Sequence, residues 1–270
     1  MGMGCKSCYV SFCYYDRHCV NYIKGTGLVV KFLNTIDKTK KLVVCLAGNL
    51  CSPEVFSKIN MPPQWEKVYV DYLEGNGPWD IEHMADELIT KLRESTNQPV
   101  VVAAYSAGGV LALGMAAKAP DLVKGLVVSN TGPCSIGHGN PNFVQELRAN
   151  AANEEYMRKF LSSCFYGPID KQFEDKLWSY AREVNVEAAC QVSETLRQVD
   201  YRTKLQHYKN PVAIIHGKLD TRRKLNSVDM LQECMSQSVV TLLATGHTPM
   251  WEDSSGYQKA LNNLLEKIHN

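Results

Sequence analysis

Neither sign of charge is in excess in this sequence: 29 lysines and arginines stand against 28 aspartates and glutamates, a formal net charge of +1. Without a basic field the chain offers nucleic acid no surface, and it has no acidic tail. No apolar run reaches the roughly 18 residues that a membrane helix needs. The first residues carry no hydrophobic export segment, and no internal repeat or low-complexity tract is present. The expectation is a soluble, cytoplasmic protein with no nucleic-acid partner, no transmembrane segment and an oligomeric state left open.

A disulfide framework is also missing. Ten cysteines occur at 5, 8, 13, 19, 45, 51, 134, 164, 190 and 234, but a chain this long with no export signal does not depend on bridges. Cys45 falls in an apolar strand and Cys190 in a helical pattern, where a thiol packs as a small hydrophobe. Cys5, Cys8, Cys13 and Cys19 lack the two close pairs of a zinc site, so no metal is expected. The Met-Gly-Cys at residues 3–5 has no Ser or Thr at the acylation spacing.

What the chain does have is alternation. At 270 residues it suits one domain with an insertion. Short apolar bursts over residues 8–32 suit antiparallel edge strands. Apolar strands follow at 42–46, 67–72, 100–104, 125–129, 212–216 and 239–243. Ser52 and Pro53 open a short helix, and further helices are expected over 81–92, from 107, near 226–236 and over 256–268. Strands alternating with helices predict a mostly parallel central sheet flanked by helices, an α/β class. Residues 135–205 break the alternation with helical patterns and no convincing strand. They read as an insertion between two parts of one core, 1–134 and 206–270.

In VVVAAYSAGG, residues 100–109, an apolar strand hands over to a small-residue helix with only Tyr105 and Ser106 between them. A serine on so sharp a turn needs small neighbours two residues either side, and Ala104 and Gly108 supply them. Its hydroxyl needs a base. Among seven histidines, His216 lies in a strand and His83 on a helix, both most simply structural, whereas His247 sits between Gly246 and Pro249 in a loop. A carboxylate must orient that imidazole, and Asp220 stands just past the strand ending at Gly217. Alone, Asp220 is a turn residue and His247 a surface residue. Together with Ser106, each lies beyond the carboxyl end of a parallel strand, where open α/β sheets gather their sites.

These residues resemble the α/β-hydrolase superfamily. AYSAGG resembles its nucleophile elbow, HGKLD its acid turn, and GHTPMWED its histidine loop with the trailing Glu252. The match runs from about residue 41 to the end, with 135–205 as the family's helical cap. It implies Ser106 as nucleophile, His247 as general base and acid, and Asp220 as orienting carboxylate, with no metal or organic cofactor. It also implies an oxyanion hole built from the N–H groups of Ala107 and Asn49, with Leu50 as the fallback donor. Ala47-Gly48-Asn49 lacks the family's usual His-Gly, and DYLEGNG only loosely follows its Asp-x-Arg-Gly-His-Gly turn.

Ser129-Asn130-Thr131 and LRQVDYRTKL are most similar to the enol-lactonase and small carboxylesterase branch. The implied reaction is cleavage of a small ester, lactone or thioester through an acyl-enzyme. Two other readings stand beside it: carbon–carbon bond hydrolysis or elimination with the same three residues, and a non-catalytic ligand-binding protein. Candidate pocket residues are Leu50, Tyr105, His138, Met250 and Trp251. The insertion's aromatics Phe143, Phe160, Phe165, Trp178 and Tyr180 could face them, though each is more simply core.

Overall fold

Strand β2 (Lys41–Leu46) explains the architecture best, because both of its faces are covered. Leu42, Val44 and Leu46 pack into one hydrophobic cluster, while Val43 and Cys45 pack into a second on the opposite face. That period-two division of a continuous apolar run is what a parallel strand between two helical layers requires. A computed structural model describes residues 29–268. The expected strands over residues 8–28, the cysteines at 5, 8, 13 and 19 and the Met-Gly-Cys lie outside the described residues.

The sheet runs in the order β1-β3-β2-β4-β5-β6-β7. Its strands are β1 (Lys31–Phe32), β2, β3 (Trp65–Asp71), β4 (Val100–Tyr105), β5 (Val123–Ser129), β6 (Val212–Gly217) and β7 (Val239–Leu243). β1 is antiparallel on β3 at one edge, and every other pairing is parallel. Ser52 caps a short 3-10 turn at Pro53–Phe56, accepting the Glu54 N–H at 3.2 Å. Helices α1 (Ile81–Ser95) and α2 (Ser106–Lys118) follow β3 and β4. α2 is nearly all small and apolar and is buried throughout its first ten positions after Ser106.

Between β5 and β6 lie five helices and no named strand: α3 (Phe143–Asn150), α4 (Glu154–Ser162), α5 (Lys171–Ala181), α6 (Val186–Thr195) and α7 (Arg202–Leu205). One isolated bridge, Cys134 to Asp200, closes the base of this excursion. The chain then adds α8 (Asn226–Cys234), α9 (Pro249–Glu252) and α10 (Ser254–Leu265). Cys45 and Cys190 are fully buried, in β2 and α6.

Candidate active site

Three residues other than glycine adopt positive φ among those described: Leu50 (62°), Ser106 (55°) and Asn130 (47°). They follow β2, β4 and β5, three adjacent strands, at their carboxyl ends. Left-handed backbone at a residue with a side chain costs on the order of 1–3 kcal/mol and persists only where the surroundings hold it.

At Ser106 those surroundings are visible. The Thr131 hydroxyl donates to the Ser106 carbonyl at 2.8 Å. The start of α2 presses so closely on the end of β2 that a β-carbon at Gly108 would strike the Leu46 and Ala47 carbonyl oxygens. Only glycine fits there, which is the physical content of the small-residue rule around such a serine.

Two loops meet beyond β6 and β7. Lys218 donates to the Leu243 carbonyl at 2.8 Å and Leu219 to the Thr245 carbonyl at 3.0 Å. A β-carbon at Gly217 would collide with the Gly246 carbonyl. This backbone-to-backbone contact sets Asp220 Oδ2 at 2.8 Å from His247 Nδ1. The pair is enclosed: the Asp220 side chain is fully buried and His247 is 6% exposed. Glu252 braces the histidine loop from behind, accepting the Gly246 N–H at 2.5 Å and the Tyr166 N–H at 3.0 Å.

Burial alone raises the pKa of Asp220. Its hydrogen bond to His247, the charge of that imidazole, the Asn130 amide at 2.5 Å and the Arg222 N–H at 2.7 Å outweigh it. The carboxyl is held at about 2. It is therefore ionised at neutral pH and favours the imidazole tautomer that donates from Nδ1.

Ser106 and His247 line one cavity of about 340 Å³. No hydrogen bond joins them among the described residues, and such pairs tighten when substrate binds. Ala107 and Asn49 line the same cavity, and neither N–H has an acceptor among the described residues. The Asn49 side chain ties its loop to α6, donating to the Ala189 carbonyl at 2.7 Å and to Ser193 Oγ at 2.8 Å.

The expected pocket residues divide. Tyr105 and His138 line the cavity. Tyr105 sets its ring edge-on to His247 at 5.9 Å. Burial first, then the nearby Arg223, His247 and Arg197, lower the His138 imidazole to about 4. Leu50, Met250 and Trp251 do not line it. Leu50 and Met250 are core residues at 1% and 0% exposure, because the left-handed turn and α9 direct them inward. Trp251 stacks on Phe173 at 3.4 Å between ring centroids, with the Lys58 ammonium over it.

Of the insertion's aromatics, Phe143 and Phe160 stack on each other and line the cavity. Phe165 and Trp178 pack away from it, and Tyr180 donates to Asp71 Oδ2 at 3.0 Å. Two further residues that the motifs do not single out, Asn130 and Arg223, also line the cavity. Asn130 was visible as a polar residue next to a buried strand's end, beside the strand that carries Ser106. Arg223 had no comparable signal.

The chain matches the model of an alpha/beta hydrolase family over residues 54–257. No curated protein sequence matches it. Among solved structures it is similar to the enol-lactonase of Burkholderia xenovorans LB400, with 15% identity, 90% of this chain and 98% of that one covered, and a TM-score of 0.75. It is likewise similar to a bromoperoxidase of Bacillus anthracis, with 17% identity, 88% and 94% coverage and a TM-score of 0.76. An esterase of Exiguobacterium antarcticum gives 17% identity, 88% and 94% coverage and a TM-score of 0.70.

Proposed function

The chain belongs to the α/β-hydrolase family, and from that premise we propose that it is a serine hydrolase cleaving a small ester, lactone or thioester through an acyl-enzyme on Ser106. The observation that carries this reading is the shared cavity: Ser106, on a left-handed turn, and His247, hydrogen-bonded at Nδ1 to Asp220, line the same wall. With Nδ1 committed to Asp220, Nε2 is the nitrogen left to take the hydroxyl proton. Ser106 Oγ then attacks the carbonyl carbon of the substrate. The N–H groups of Ala107 and Asn49 receive the oxygen on which charge develops.

His247 returns its proton to the leaving group, and water, activated by the same imidazole, releases the acid. Asp220 stays ionised throughout and stabilises the imidazolium. In this reading residues 135–205 act as a cap that supplies the far wall, and no cofactor takes part.

A fluorophosphonate probe is expected to label Ser106, and Ser106→Ala to abolish the label while activity on short acyl p-nitrophenyl esters, lactones and thioesters falls at least ~10⁴-fold. A folded wild-type protein that takes no label overturns the reading. Activity surviving in Ser106→Ala and lost in His247→Ala assigns the work to the histidine instead.

A further inference from the structure

Three arginines, Arg197, Arg222 and Arg223, line the cavity, and no aspartate or glutamate does. The nearest carboxylate, Asp220, is spent on His247, Asn130 and the Arg222 N–H. None of the three arginines forms a salt bridge among the described residues. Two of them are nonetheless occupied. Arg197 donates to the His138 carbonyl at 3.1 Å and the Asn140 carbonyl at 3.2 Å. Arg222 donates to Ser163 Oγ at 2.8 Å and rests over the Phe160 ring at 4.5 Å.

Arg223 differs. It is 5% exposed, so its charge has lost most of its water. In exchange its side chain finds one good acceptor, the Cys134 carbonyl at 3.0 Å, and one long contact to Ser135 Oγ at 3.4 Å. Its Nε is buried with no partner among the described residues. Burial lowers the guanidinium to about 10, which leaves it charged at neutral pH. The guanidinium lies directly against Gly132, where a β-carbon would overlap Nη2. A buried cation is ordinarily paired; Asp220 acts on Arg223 only at range, its oxygens being bonded to His247, Asn130 and the Arg222 N–H.

We infer that Arg223 is the anchor of an anion subsite, and that the substrate carries a carboxylate in addition to the bond that is cleaved. The inference rests on the hydrolase reading for the bond cleaved, and on the cavity alone for the charge. The planar fork of arginine fits a carboxylate with two parallel hydrogen bonds, which an amide or a methyl group cannot reproduce. Phe143 and Phe160 give the same cavity an apolar wall for the carbon chain between the two ends. The substrate class is a half-ester, or a lactone bearing a free carboxylate, small enough for about 340 Å³.

The test compares two esters of one shape, monoethyl glutarate and the ethyl ester of glutaramic acid, whose far end is an uncharged amide. For the wild type the expected kcat/KM ratio favours the half-ester by about tenfold or more, as for a hydrogen-bonded charge pair. Arg223→Met is expected to bring the ratio close to one, and Arg223→Lys, which keeps a cation in the same space, to restore part of it. An unchanged ratio in Arg223→Met, or a wild-type preference for the amide, overturns the anion subsite.

Calorimetric binding of the two esters to the Ser106→Ala protein reads the subsite without turnover, with the half-ester expected to bind about tenfold tighter. Equal binding overturns the subsite and leaves the hydrolase reading standing. Selective binding by this variant, with neither ester hydrolysed by the wild type, leaves the subsite standing and counts against the hydrolase reading.

Discussion

On the sheet side of the cavity, position is set by backbone meeting backbone. Gly108 lies against the carbonyls that end β2, and Gly217 against the Gly246 carbonyl. On the helical side, α3 to α6 bury an apolar face that includes Leu147, Leu161, Phe173 and Leu177, and their outer faces are joined by ion pairs. Arg148 bridges Glu187 and Glu194 between α3 and α6, and Arg158 bridges Glu154 and Asp175 between α4 and α5. These ion pairs are largely exposed, and exposed pairs contribute little each. Backbone contacts of the first kind leave little room for substitution, while surface ion pairs of the second kind can be exchanged at small cost.

Gly217→Val gives the largest expected effect on this contrast. Its branched side chain must enter space held by the Gly246 and Thr245 carbonyls, so the protein is expected to lose soluble folded yield. Circular dichroism and melting temperature measure this, and a variant melting within a few degrees of wild type would show that the rim is more pliant than its contacts indicate.

Asp220→Asn comes next. It leaves the shape in place and removes the charge that orients His247, so kcat is expected to drop by about 10³- to 10⁴-fold with folding intact at neutral pH. The same variant reports on acid stability. A carboxyl held at about 2 in the fold and near 4 in the unfolded chain stabilises the protein above about pH 4, and that stability is lost as pH falls towards 2. The melting temperature of the wild type is expected to decline more steeply between about pH 5 and pH 2 than that of Asp220→Asn; parallel curves would assign the acid sensitivity to other groups. The smallest effect is expected on the helical side, where Arg158→Ala removes ion pairs to Glu154, Glu174 and Asp175. The melting temperature is expected to move by less than about 3 °C, and a larger shift would show that this wall is held more tightly than exposed ion pairs allow.

The same difference governed what could be read from the residues. Strands β2, β4, β5 and β6 were legible because burial on both faces demands continuous runs such as VVVAA and VAIIH. Ser106, Asp220 and His247 were legible as polar residues placed where such runs end. Local pattern carries no information about contacts between distant segments. Asn130 reaches Asp220 across 90 positions, and Arg223 acquires its surroundings only when residues 132–135 fold over it. Met250 and Trp251 failed for the opposite reason: they adjoin His247 in sequence, but α9 turns one into the core and the other onto Phe173.

The hollow at position 132 has a consequence for comparing related chains. The tip of Arg223 and a β-carbon at 132 claim the same space, so a larger residue at 132 has to push that flexible side chain aside. Related chains with a larger residue at 132 should therefore hold an arginine at 223 in a different rotamer or carry a shorter residue there.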